Sequence, residues 1–521
     1  GGTSALADPI HHVSSIFFGV QGSSPYNHAG QTTVVNWGEV STKGMFSSAI
    51  VAQSIGGGGG AHLTVQNRRS ELLGANALAS ETGSVHLGAL NGNGSGNPVT
   101  ITSGGALSTT GDFALGILGQ SIGGGGGLVT LDNDASTTLV DFGGSWDRVN
   151  RSDTVTIVNG GQIATRGKGA IAVLAQSVGG GGGLVQADSP ITYAETPITI
   201  IANKEDRDRY SWTYGLSDPF HHAERLLNFG GDIRVTLTPM SDIRTYGDGA
   251  AAIYAQTIAG PGGLVQMPDG SLLSKTYNRG DRAGNVTINA GGRLETHGNQ
   301  APGIHAAMLD GDYSWRREQS HRQMSVNVVG SVNTFGAASH GIVAELSGNA
   351  SLSEKQTAVD IAVAPGATIA VSGQGSDAIR IANATPSHVA TTTITNAGMV
   401  SSRSGFAVVS DQKTSVVNSG TLTGSIKASG PVWAFKGDMR GISLTNTASG
   451  SILSGSAIDL GVDNLAAATL PDYGRLQNFG LLSPGGRGVL QVTNLQGVYV
   501  GASGSTLEVD LDMRGGGSDR L

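Results

Sequence analysis

Two pairs of adjacent histidines, in Asp8-Pro9-Ile10-His11-His12 and Asp218-Pro219-Phe220-His221-His222, are the residues best typed for metal chemistry. A metal would need each imidazole to converge with a carboxylate, whereas neighbouring side chains of an extended chain point to opposite faces. The pairs therefore read as one loop used twice, packed on the same kind of support. Nucleophilic chemistry finds little material. The chain has no cysteine, which excludes disulfides, thiolate metal ligands and thiol nucleophiles. No Gly-Asp-Ser context offers a hydrolase serine, and no Gly-Lys-Ser or Gly-Lys-Thr follows any glycine run, so a phosphate-cradling loop is not supported. A glycan-cleaving site would need carboxylates converging on one strand face, where this chain places mostly Thr, Val, Ala and Ser. The expectation is a non-enzymatic chain with no cofactor and no metal.

Binding chemistry has better candidates. Tyr210-Ser211-Trp212 and Tyr313-Ser314-Trp315 recur inside polar segments, and exposed aromatic rings suit stacking on sugars or burial in a protein partner. Tyr210, Trp212, Tyr313 and Trp315 are thus candidate partner contacts, with packing of the loop onto its support as the alternative. Arg279-Gly280-Asp281 spells an integrin-type tripeptide, a combination that arises readily by chance in so glycine-rich a chain.

The elements that must position these residues follow from composition and repetition. The 521 residues include 83 glycines, with only 13% charged and 5% aromatic residues, a profile of strands and turns with scarce helix. A hydrophobic fraction of 38% supplies enough apolar surface to fold. The net charge of -8 carries no basic block, which sets nucleic acid aside as a partner. No window approaches a membrane-spanning helix, and the opening Gly1-Gly2 suggests a piece of a longer chain.

One pattern returns nine times: a β-branched strand, a Gly turn, a second strand ending in Thr or Ser, another turn, and a third strand rich in Ala and Ile. Its clearest copies are Thr154-Val155-Thr156-Ile157 with Gln162-Ile163-Ala164-Thr165-Arg166-Gly167, and Asn285-Val286-Thr287-Ile288 with Arg293-Leu294-Glu295-Thr296-His297-Gly298. Weaker copies begin near Thr33, Val99, Ile233, Met324, Val359, Thr392 and Ser415. Short repeated strands that cannot bury a face alone must stack, which predicts an all-β, right-handed parallel β-helix with Val155 and Ile157 inward and Thr154 and Thr156 outward.

In the amino-terminal half the third strand ends in Gln53-Ser54-Ile55, Gln120-Ser121-Ile122, Gln176-Ser177-Val178 and Gln256-Thr257-Ile258, each followed by a glycine-rich run. Gln53, Gln120, Gln176 and Gln256 at one coil position predict a structural amide ladder, and the glycines a close-packed turn. The polar stretches 188–228 and 268–284 are expected to project as loops. Three regions result: 1–284 with long loop insertions, 285–470 as a regular stem, and 471–521 as a cap.

That last region carries a resemblance. Ser483-Pro484-Gly485, Gly497-Val498-Tyr499, Gly504-Ser505-Thr506-Leu507 and Ser518-Asp519-Arg520-Leu521 occur in the order seen at the pertactin-like end of autotransporter passengers, and the upstream Gln-Ser-Ile-Gly coils are similar to those of large autotransporters. The resemblance implies a passenger secreted by the type V route, displayed at the surface of a Gram-negative bacterium and anchored through its own outer-membrane β-barrel, which is absent from this chain. The last segment would then be a truncated folding nucleus or cap. The implied role is adhesin or stalk, with a host or neighbouring-cell surface protein or glycan as partner. Self-association into a filament or biofilm module, and a glycan-active β-helix enzyme, are the alternatives.

Overall fold

In the computed structural model of the chain, the described residues are 15–18, 28–62, 83–87, 94–131, 138–142, 150–188, 191–192, 228–276, 282–310, 322–347, 357–383, 390–429, 441–461, 474–512 and 517–521. All their regular structure is strand, arranged as a parallel β-helix. The first strands of successive coils form a twelve-stranded sheet from Thr32–Asn36 to Val498–Gly501, paired in parallel throughout. At about 4.8 Å per rung, twelve rungs make a rod roughly 50 Å long. The nine repeats read from the sequence supply its first nine rungs. Ile442–Asn446, Arg475–Asn478 and Val498–Gly501 add three more.

Period-2 alternation explains why these residues form strands. In Val155–Asn159, Val155, Ile157 and Asn159 are buried while Thr156 and Val158 are partly open. Parallel register then stacks like on like: Ile157 lies between Ile101 and Val235, and the column continues through Ile288, Val326, Ile361 and Ile394 to Leu476. One core runs inside the coils from Ile50 to Leu482. Each buried Val or Ile in it contributes about 1.5–3 kcal/mol.

The second and third strands share a twenty-stranded sheet, because Met399–Ser410 runs through both positions as one strand. The turn between them holds one residue in the left-handed region in seven coils, with φ of 59° at Phe46, 56° at Phe113, 64° at Gly169, 67° at Gly249, 52° at Gln300, 51° at Ala338 and 65° at Gly375. Before that turn, Thr42, Thr109, Thr245, Thr296 and Thr334 each donate a hydroxyl across it to the carbonyl five residues on.

The glycine runs do more than turn. They feed strands Gly59–His62, Gly126–Leu131, Gly182–Ala187 and Gly262–Gln266, which fold back and stack as a separate parallel sheet. Leu128, Leu184 and Leu264 of that sheet pack on Leu118, Leu174 and Tyr254 of the third strands, forming a second core. The third strands Ile117–Ile122, Val173–Val178 and Ile253–Ile258 are consequently buried on both faces.

Two expected loops are corrected in part. Within 268–284, Leu272–Thr276 is a strand running antiparallel along Gly262–Gln266, and Leu272 packs on the second core. Within 188–228, Ile191–Thr192 joins Ser15–Phe18, Gly83–Leu87 and Thr138–Phe142 in a further parallel sheet. Segments inserted between coils pair with one another because the coils hold them at rung spacing.

Candidate functional site

Register brings Gln53, Gln120, Gln176 and Gln256 into one column on the third strands. Gln53 Nε2 donates to Gln120 Oε1 at 2.6 Å, Gln120 to Gln176 at 2.7 Å and Gln176 to Gln256 at 2.8 Å. Gln120, Gln176 and Gln256 are fully buried between the coil and the turn sheet, where an unpaired amide would be costly. Gln176 Nε2 also donates to the Gly183 carbonyl at 3.0 Å, which ties the ladder to the turn sheet. A second pair stands inside that sheet: Gln186 Nε2 donates to Gln266 Oε1 at 2.6 Å and to the Phe113 carbonyl at 2.8 Å.

The column continues as Ala307 and then Glu345, so Gln256 has no amide beyond it. The hairpin strand Leu272–Thr276 fills the gap. Ser274 Oγ accepts from Gln256 Nε2 at 3.2 Å and donates to Glu345 Oε2 at 3.3 Å. With its one proton so committed, Ser274 must accept from Tyr254, whose Oη lies 2.6 Å away. His305 Nε2 lies 2.9 Å from the same Glu345 oxygen, and its ring packs on Tyr254 with centroids 4.5 Å apart. Burial, and secondarily the Glu345 carboxylate, push the Tyr254 phenol well above its ordinary range, while the Ser274 contact pulls the other way. Tyr254 therefore stays a protonated donor. The cluster closes the ladder around one carboxylate.

In the turn that leads into the Glu345 strand, His340 Nδ1 accepts the Asp377 backbone N–H of the next rung at 2.9 Å, and Asp377 Oδ2 also holds Arg380 at 3.1 Å. Burial lowers the His340 pKa, Asp377 opposes that, and Arg380 and His305 add to it. Among the described residues no three His, Asp or Glu side chains are grouped to hold a metal ion.

A different ladder occupies the carboxy-terminal coils. Asn396, Asn418, Asn446 and Asn478, each closing a first strand, pass one hydrogen bond along the axis at 2.8 Å per step, and Asn478 Nδ2 reaches Tyr499 Oη at 3.3 Å. The repeat Asn396-Ala397-Gly398, Asn418-Ser419-Gly420, Asn478-Phe479-Gly480 was the sequence signal for it.

On the outer side of the second strands, Arg166, Tyr246, His297 and Phe335 form an exposed column. Tyr246 and His297 stack at 4.9 Å and 8°, His297 and Phe335 at 4.8 Å and 15°, and the Arg166 guanidinium caps Tyr246 at 5.7 Å. Beside it, Asp242, Arg244, Arg293 and Glu295 alternate in sign as a network with contacts from 2.8 to 3.8 Å.

Tyr210, Trp212, Tyr313 and Trp315, both histidine pairs and Arg279-Gly280-Asp281 lie outside the described residues. Comparison of the chain with protein-family models, with curated proteins and with solved structures gave no match.

Proposed function

We propose that the chain is a stretch of a secreted autotransporter passenger, displayed on a Gram-negative cell as an adhesin or structural stalk and anchored by an outer-membrane β-barrel outside these 521 residues. The observation that carries this reading is the twelve-rung stack in unbroken parallel register. Such a rod derives its stability from nearest-neighbour coils and holds segments inserted between coils at regular intervals along its flank. Loops borne on a rigid scaffold are suited to recognition, and the partner in this reading is a protein or glycan on a host or neighbouring cell. The motifs of residues 483–521 support the passenger assignment.

Binding of the purified chain to glycans, matrix proteins and bacterial cells, run beside a reducing-end assay on the same glycans, tests it. Saturable binding without new reducing ends is expected. Turnover of a polysaccharide would replace the adhesin with the glycan-active alternative. Concentration-dependent assembly without any partner would favour self-association.

A further inference from the structure

The exposed aromatic column ends at Phe335, and the short side chain on the rung after it leaves a gap before the next long one, Arg403. Phe335 follows Thr334, Ser372 follows Val371 and Arg403 follows Ser402 within Met399–Ser410, and Thr334, Val371 and Ser402 lie on consecutive rungs. Phe335 is 46% exposed, and Ser372 and Arg403 are exposed as well. Where the preceding rungs carry the Tyr246, His297 and Phe335 rings, the Ser372 rung carries only a hydroxymethyl group. Phe335 and Arg403 therefore stand two rungs apart, about 9.6 Å. A planar group inserted between them would sit about 4.8 Å from each, the spacing the column already uses between Tyr246, His297 and Phe335.

We propose that Phe335, Ser372 and Arg403 form a slot for a small planar aromatic anion. Phe335 offers a ring face, Ser372 a low floor whose hydroxyl donates to the Thr334 carbonyl at 3.4 Å, and Arg403 a guanidinium that can stack on a π-system and pair with a carboxylate or sulfonate. The sign of the ligand follows from the surroundings. Across these rungs the second-strand positions are Ser331–Thr334, Thr368–Val371 and residues 399–402 of Met399–Ser410, with no acidic or basic side chain among them, so Arg403 is the charge that the slot presents.

Naphthalene sulfonate is the probe, with naphthylmethylammonium as its cationic counterpart, each titrated by fluorescence anisotropy against wild type and variants. Saturable binding of the sulfonate is expected, with the ammonium weaker. Ser372→Phe supplies the missing ring and should weaken sulfonate binding about tenfold or more while leaving the melting midpoint level or higher, and Phe335→Ala should weaken it by a similar factor. Arg403→Gln should abolish the preference for the anion; should Ser372→Phe fail to fold, this variant carries the test. Unchanged affinity in the variants that fold, equal affinity for the two probes in wild type, or no saturable binding at all would overturn the proposal.

Discussion

The two ends of the rod solve one problem, how to bury polar backbone and amides along a continuous stack, in different ways. In the amino-terminal coils the bonded amides are glutamines on the third strand, separated by 67, 56 and 80 residues, and a glycine-built outer sheet covers them. In the carboxy-terminal coils they are asparagines on the first strand, separated by 22, 28 and 32 residues, with no such outer layer among the described residues. Long coils thus carry a second core and a longer side chain to reach across it, whereas short coils close their ladder within the turn itself. The asparagine column starts with Asn36, Ser103 and Asn159 in the amino-terminal coils, but Leu237, Ala290, Val328 and Val363 fill it before Asn396, so neither ladder extends into the other. Stability should therefore be regional.

The largest expected effect breaks the amino-terminal solution. Gly126 has φ of 122°, and a Cβ there would overlap the Gly182 carbonyl oxygen. Gly126→Ala should cost on the order of 4 kcal/mol in urea denaturation. Gly375→Ala, where φ is 65° but nothing stands near the added atom, should cost about 1 kcal/mol. Equal costs would mean that close packing of the turn sheet contributes nothing.

Next come the ladders. Gln176→Leu leaves Gln120 and Gln256 each short of a buried partner, and Asn446→Leu does the same to Asn418 and Asn478. Each should cost about 2–4 kcal/mol, and the double variant should show additive costs because the sites share no partner. Marked coupling in the double-mutant cycle would join the two regions that the structure separates.

A smaller effect is pH-dependent. The folded protein holds His340 below its ordinary pKa of 6.5, so the unfolded chain binds more protons as pH falls. The contribution is complete above 6.5 and is lost as pH drops from there through the folded value. Melting midpoints measured downward from neutral pH should fall less steeply in His340→Asn than in wild type. An identical slope would remove His340 as a cause.

The smallest effect is a gain. Ala338 occupies the left-handed turn position that Gly169, Gly249 and Gly375 fill in other coils. Ala338→Gly should stabilise by about 0.5 kcal/mol, detectable as a raised denaturation midpoint, and a loss would show that the Ala338 methyl makes a contact worth more than the strain.

The β-helix was legible because Val, Ile and Thr alternate between recurrent glycines, and the glutamine column because four copies precede a glycine run. The asparagine column was hidden, since Asn before Gly is also an ordinary turn signal. The strand Leu272–Thr276 escaped notice because its partner is set by the hairpin and by Leu272 meeting a core that only stacking creates. The Tyr254, Ser274, Glu345 and His305 cluster joins residues up to 91 positions apart, and its members carry no local motif. The aromatic column was unreadable for a similar reason: each ring is a lone residue after a strand-ending Thr, and only register aligns them.

Hydrogen exchange followed by mass spectrometry on wild type, Gln176→Leu and Asn446→Leu tests the regional account most directly. The prediction is that Gln176→Leu loses protection in the described strands between Val99 and Gln266 and retains it in those between Ala390 and Leu482, while Asn446→Leu does the reverse. Loss of protection spread evenly over both segments in either variant would contradict it.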